Sequence, residues 1–414
     1  MSTTSTHEIV ILGANYAGIN LVHSLLRQSI PALIKANTSQ SYHVTLVSPN
    51  THFFFKPAAP RAILDPTQIP AEKIFRSIPD ALKQYGDKCT LLQGKATALN
   101  PEARIVSVDA TTGSGTQDLR YDSLFICTGT TSSSPLWTLH DNHQTSINAL
   151  AETNKLIASA QSILIAGGGP VGVETAGEIA HFWPDKAVVL VAGGGVLDKL
   201  KPGVGEKAKK MLAQAKVEVL ENVKVDDTSA DGAATVVQLS DGTARTVDLY
   251  VDARGVSKVN NEFLPKSWLD ASGRVVTRDP YFRVRGDGQA DVGSVYVLGD
   301  IVSGSTNTAI ELDAHVSTVT SSFAVDVASK AGVDTAKSGG GLLSWVPGLS
   351  SNAIAQKEFK PLKDTILVPI GPNGGVGTGM GWQVPSLLVK KAKAERFLVE
   401  LIEPLVSGTK YAQM

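Results

Sequence analysis

Short apolar runs, each closed by a turn and followed by a stretch of helical period, recur along the chain. Glu8 to Leu12 reads as a buried strand, Gly13 to Gly18 (GANYAG) as a turn, and Ile19 to Leu26 as the start of a helix. The same succession returns at Ser162 to Ala166 (SILIA), Gly167 to Gly172 and a helix over Val171 to Phe182. Further runs predict strands at Tyr42–Val47, Tyr121–Thr128, Ala187–Val191, Val217–Leu220, Thr235–Leu239, Arg245–Val251 and Ser294–Asp300. Thr90–Gly94 and Ala103–Val108 read as a small hairpin or meander. Helices are predicted over Asn148–Ala160, from about Thr308, and over Ser386–Leu405. Strands alternating with helices place the chain in the α/β class, with two doubly wound nucleotide-binding units.

The turns carry the chemistry. Gly167, Gly169 and Gly172 keep the spacing G-x-G-x-x-G between a strand and a helix. The first glycine makes the tight turn, the second lets a pyrophosphate approach the backbone, and the third lets helix and strand pack closely. In the first turn Asn15 stands at the middle position between Gly13 and Gly18. Its side chain crowds a pyrophosphate, yet it tolerates positive φ and can itself hydrogen-bond a phosphate oxygen. The strand after the first turn ends at Ser48, where an acid usually holds the adenosine ribose. The strand after the second ends at Ala192, so no carboxylate selects the 2′-hydroxyl of NAD. Lys199, Lys201 and Lys207 follow; they read either as a solvated face or as attraction for a 2′-phosphate.

Four other places qualify as site candidates. Thr51–Ile63 (THFFFKPAAPRAI) reads as a stiff aromatic loop or as a wall beside a flat ring system, with Lys56 and Arg61 supplying positive charge. The strand end Cys127–Thr130 places Thr128 and Gly129 near a cofactor. Glu174 sits in the first turn of its helix, either answering the helix dipole or touching the reacting rings. Gly299 and Asp300 close a late strand, where the acid would bind a polyol hydroxyl, act as an N-cap, or both.

Composition narrows the classes. With 38 Lys+Arg against 39 Asp+Glu, the balance argues against nucleic acid as a partner. The 2 cysteines, Cys89 and Cys127, lie far apart and form no Cys-x-x-Cys, which fits a reducing, cytoplasmic setting and disfavours disulfide-reductase chemistry. The 8 histidines show no metal-ligand spacing, so no metal site is expected. The opening MSTTSTHE reads as no secretory leader, and no apolar run is long enough to span a bilayer. Gly371–Gly381 holds 6 glycines without a P-loop ending and is expected to be a flexible or tightly folded loop. In Ser386–Leu405 the stripe Leu387, Ala394, Leu398, Leu401 and Leu405 is interrupted by Lys391. Lys390, Lys393 and Arg396 scatter around the wheel, which places packing on the core or a dimer partner ahead of lipid.

The two turns, the CTGT strand end and the late Gly-Asp strand stand in the order of two-dinucleotide-binding-domain flavoproteins. Within them the chain resembles the apoptosis-inducing-factor-like group, which includes the mitochondrion-associated inducer of death (ferroptosis suppressor protein), and more remotely type II NADH:quinone dehydrogenases. The Phe-rich loop and the tail Pro369–Glu400 point to the subgroup. The resemblance implies FAD along Gly13, Asn15, Tyr16, Ala17 and Gly18, flanked by Lys56 and Arg61. Ala96 would meet the adenine side through its backbone, and Asp300 would bind the ribitol. It implies NAD(P)H on Gly167, Gly169 and Gly172 with Glu174 nearby, and Lys56 and Glu174 as the catalytic candidates. It also implies a FAD-binding domain of residues 1–137 and 274–330, an NAD(P)H-binding domain of 138–273 and a C-terminal α+β segment of 331–414. The expected activity is hydride transfer from NAD(P)H to flavin and electron delivery to a quinone or similar small acceptor. A nucleotide-responsive binding protein with slow turnover and a tailoring oxidoreductase of small-molecule biosynthesis are the alternatives. The sequence leaves open NADH against NADPH, monomer against homodimer, membrane association, and whether the flavin is FAD or 6-hydroxy-FAD.

Overall fold

The computed structural model describes residues 5–36, 40–111, 113, 115–286, 294–335, 354–361 and 364–412. Residues 1–4, part of the segment read as carrying no secretory leader, lie outside the described residues. So do residues 336–353 of the C-terminal segment.

Two sheets are wound alike. In the first, Thr6–Leu12 lies between Ser41–Ser48 and Ser123–Ile126, all parallel; Cys89–Asn100 extends one side and Ser294–Val297 the other. The far half of Cys89–Asn100 turns antiparallel into Ile105–Ala110 and Thr116–Arg120, so the expected hairpin is a three-stranded meander. In the second, Ser162–Ala166 lies between Ala187–Ala192 and Leu249–Asp252, and Glu218–Glu221 forms the edge. Both sheets reverse strand order beside their first strand, which is where doubly wound folds open a crevice for a ligand. Ile9, Ile11, Leu12, Ile163, Leu164 and Ile165 are buried. Each such aliphatic side chain taken out of water contributes about 1.5–3 kcal/mol.

Several elements differ from the pattern reading. Arg245–Val251 is two strands, Ala244–Val247 and Leu249–Asp252, in different sheets. Asp248 separates them, because its carboxylate accepts the N–H groups of Gln161 and Ser162, both at 2.8 Å. Ala244–Val247 pairs instead with Ala234–Leu239, alongside an additional strand Val225–Asp231. The late strand stops at Val297. Gly371–Gly381 is a tight hairpin built on Ile366–Pro369, Gly375–Gly379 and Trp382–Gln383. Gly375 and Gly377 press on the carbonyls of Val368 and Ile366, where any Cβ would collide.

Ser386–Leu405 is not one helix. A helical turn at Ser386–Val389 widens into a π-turn at Lys390–Ala394, and Phe397 and Leu398 then take φ of 51° and 60°. A second short helix runs over Ile402–Val406. Leu387 and Leu401, expected on the packed stripe, are 66% and 45% exposed. The left-handed pair at Phe397 and Leu398 breaks the register and turns the buried Phe397 ring under Arg61, whose guanidinium lies 4.5 Å from the ring centre.

Candidate nucleotide cradles

The two glycine turns are built to one plan. Gly13 and Gly167 take φ of 101° and 130°, which glycine adopts without strain. Each donates its N–H to the neighbouring strand at 2.8 Å, Gly13 to Val47 and Gly167 to Val191. A Cβ on Gly13 would strike the carbonyl of Cys127, and one on Gly167 that of Ala253. A Cβ on Gly18 would strike Gly13, and one on Gly172 would strike Gly167. The helices Tyr16–Ser24 and Pro170–Phe182 therefore start hard against their strands. Asn15 and Gly169 stand at their N-caps, and neither supplies a side-chain cap. Uncapped first-turn N–H groups facing a crevice fit a phosphate. Gly169 is exposed, and a side chain there would meet nothing within 4 Å, so the second cradle is open at the place a pyrophosphate needs.

The first cradle accommodates Asn15 by turning it aside. Its Oδ1 accepts the N–H of Phe54 at 2.9 Å, tying the turn to the aromatic loop. Phe53, Phe54 and Phe55 are buried, so the loop Thr51–Ile63 is fixed by its own core. It folds into a short strand, His52–Phe54, and two helical turns. Tyr16 lies 6.3 Å and 6.2 Å from the rings of Phe53 and Phe55, and burial with the nearby Asp313 pushes its phenol pKa up. The Ser48 hydroxyl is buried and accepts the N–H of Asn50 at 3.1 Å. Ala96 is half-buried beside a bulge in its strand.

The structure brings Lys56, Thr130 and Asp300 together. Lys56 Nζ lies 3.7 Å from Asp300 Oδ2, and the Thr130 hydroxyl donates to the same oxygen at 3.5 Å. Gly299 takes φ of 87° and is packed between Ala17 and Leu312, which brings the acid to the first helix. Thr128 and Gly129 are held by Asn260: its Nδ2 donates to the Thr128 carbonyl at 2.8 Å and its N–H to Gly129 at 3.1 Å. Asn260 was not singled out from the sequence, and no local pattern marks it.

Arg61 and Glu174 are placed otherwise than expected. Arg61 is 5% exposed and forms a two-pronged pair with Glu178, at 2.6 Å and 2.9 Å. It also donates to the Glu395 carbonyl at 2.9 Å, so its charge is committed within the protein rather than offered to a ligand. Glu174 is buried and receives Lys393 Nζ at 2.6 Å. Burial pushes the Glu174 carboxyl pKa up while Lys393 opposes it. Burial, reinforced by Glu174, raises Glu178 to about 7 against the pull of Arg61. The i,i+4 spacing of two acids on an otherwise apolar helix face was the one available sign that both need buried partners.

Both cysteines are buried and free. Burial raises the Cys89 thiol to about 12 and the Cys127 thiol well above its ordinary value, which leaves neither as a nucleophile or a redox pair. Among the described residues, no cluster of His, Cys, Asp and Glu is arranged to hold a metal, and no helix is long and apolar enough to cross a membrane.

Comparison with known proteins agrees with this geometry. A model of the pyridine nucleotide-disulphide oxidoreductase family matches residues 7–321. The chain is 30% identical to oxidoreductase phnG of Penicillium herquei, across 100% of this chain and 99% of that protein. It is 24% identical to ferroptosis suppressor protein 1 of Taeniopygia guttata, across 96% and 95% of the two chains. Its fold is similar to that of the sulfide:quinone oxidoreductase from Aquifex aeolicus, with a TM-score of 0.69 at 13% identity over 97% of this chain and 92% of that one. The duplicated glycine turns and the matching family model lead to one assignment: the chain belongs to the pyridine nucleotide-disulphide oxidoreductase family.

Proposed function

We propose that the crevice at Gly13–Gly18 holds FAD and the crevice at Gly167–Gly172 holds NAD(P)H, in a single oxidoreductase that delivers electrons to a quinone-like acceptor. The chain is a FAD-dependent NAD(P)H oxidoreductase. The observation that carries the reading is the pair of uncapped helix starts, each seated against a strand end through glycines that admit no Cβ. FAD, when bound, supplies a hydride acceptor that can pass electrons on singly or in pairs.

The protein's own contribution is position and charge. The backbone N–H groups after Asn15 and Gly169 orient the two pyrophosphates. Asp300, steadied by Thr130 and Lys56, accepts from a polyol hydroxyl. Lys56 is partly exposed and pairs its charge with Asp300 beside the first turn. Glu174, on the second helix, receives Lys393 Nζ in a water-poor interior behind the second turn. A quinone-like acceptor is supported by the similarity of this fold to that of a sulfide:quinone oxidoreductase. The composition of the first sheet supports the division into a discontinuous FAD domain, 1–137 with 274–330, and an inserted NAD(P)H domain, 138–273, because Ser294–Val297 returns to that sheet after the second one is complete. Cytoplasmic placement and a monomer or homodimer complete the reading.

An absorption spectrum of the purified protein, followed by NADH, NADPH and a water-soluble quinone in turn, tests it. Flavin bands that bleach with a nicotinamide and recover with quinone, over repeated cycles, are expected. A colourless protein that takes up no added FAD would overturn the reading. Slow bleaching without turnover would replace the enzyme by a nucleotide-responsive binding protein.

A further inference from the structure

Asp300 sits on a turn whose shape is held by a buried histidine. The Gly299 N–H donates to His315 Nδ1 at 3.2 Å. His315 is 2% exposed and boxed by the rings of Phe282 and Phe359, at 4.3 Å and 4.8 Å between centres. A backbone N–H can only donate, so Nδ1 must be the bare, accepting nitrogen and the ring proton must sit on Nε2. Nε2 faces Glu311 Oε1 at 3.9 Å, one helical turn earlier. The other oxygen of that carboxylate accepts from the Ser305 hydroxyl at 2.9 Å and from the Thr306 N–H and hydroxyl, both at 2.8 Å. Glu311 therefore holds the loop after Asp300 while its remaining charge favours the Nε2–H form. The charged groups facing the ring are Glu311 from its own helix and Asp300 from the turn, and Lys56 lies behind Asp300. Burial keeps the ring neutral, with its pKa lowered to about 4.

We propose that His315, fixed as its Nε2–H tautomer between Glu311 and the Gly299 N–H, is the positioning residue that aims Asp300 at the flavin's polyol chain. This rests on the reading that Asp300 binds FAD. Gly299 at φ of 87° has no other described acceptor for its N–H, so loss of Nδ1 frees the turn that presents the acid.

Two measurements test it. The first needs no cofactor: long-range nitrogen–proton correlation spectra of the ¹⁵N-labelled protein at neutral pH, with His315 assigned by its absence in His315→Asn. A protonated Nε2 and a bare Nδ1 are expected; the opposite tautomer or an imidazolium would overturn the proposal. The second is the rate of FAD release on dilution. Asn keeps an acceptor at the δ position and does not titrate, so His315→Asn should release FAD within about threefold of the parent rate. His315→Leu, which removes the acceptor, should release it about tenfold faster. Equal rates for Leu and parent, or for Leu and Asn, would overturn the role. Should His315→Leu not fold, the tautomer spectrum of the parent protein and the Asn variant still decide. A parent protein that binds no FAD would sink the flavin reading and leave the tautomer result standing by itself.

Discussion

Glycine positions in the two turns divide into those that admit no side chain and one that admits any. Gly172→Ala places a methyl on the carbonyl of Gly167, and the helix must move. A loss of about 3 kcal/mol in unfolding free energy is expected by denaturant titration. Gly169→Ala meets nothing within 4 Å of its Cβ. Stability should hold within about 0.5 kcal/mol, while the KM for NAD(P)H rises about tenfold, because the added methyl occupies ligand space alone. Equal destabilisation by the two substitutions would mean that the second crevice is filled by protein. His23 is a second informative residue. Its Nε2 donates to the Val406 carbonyl at 2.9 Å, its Nδ1 lies 2.6 Å from the Tyr85 hydroxyl, and burial lowers its pKa to about 4. A histidine held neutral in the fold contributes stability above its unfolded pKa of about 6.5 and loses it as pH falls from there toward 4. His23→Gln should therefore flatten the acid limb of the stability profile by about one proton, or about 1.4 kcal/mol per pH unit.

At the scale of elements, the tail matters most. The segment Lys390–Val406 reaches the second nucleotide helix through Lys393 and Glu174, and the first through Val406 and His23. Lys393→Met would strand Glu174 in an apolar interior, at a cost of about 3–5 kcal/mol. Adding Glu174→Gln should restore much of that loss, which a double-mutant cycle by chemical denaturation would read. Simple additivity of the two losses would show that the residues do not act as a pair. These elements also mark where sequence pattern stops being informative. The strand–turn–helix units were legible to within two or three residues, because burial on both faces imposes an apolar run and the glycines fix the turn. Ser162–Ala166 matches its reading end to end. The broken tail was not legible, since nothing local in Phe397 and Leu398 calls for a left-handed turn, and the buried Phe397 ring packs under Arg61 from a distant part of the chain. Arg61 and Glu174 look like ligand-facing charges in sequence; their partners lie 117 and 219 residues away. Such pairs leave no local period to read.

Across the whole molecule, the acid follows the edge strand Ser294–Val297 and the lysine lies in the aromatic loop far earlier in the chain, yet the two meet at 3.7 Å. Asp300→Ala and Lys56→Ala should each lower the flavin-to-protein absorbance ratio of the purified protein. The larger loss is expected for Asp300, which Thr130 also orients. Full flavin content in both variants would remove these residues from the first crevice. That the two sheets would be wound alike was plain from two glycine spacings. That a third stretch of chain would clasp both helices was not, because it depends on the Lys393 side chain and the Val406 carbonyl meeting partners far away in the chain.

That clasp joins the helices behind both crevices, which predicts that the two share one equilibrium. A strap pinned at both helices transmits a tightening at either end, and thermodynamic reciprocity requires the effect to run both ways. Occupation of the nicotinamide crevice by an unreactive oxidised nucleotide should then slow the escape of FAD, and severing one pin, as in Lys393→Met, should uncouple them.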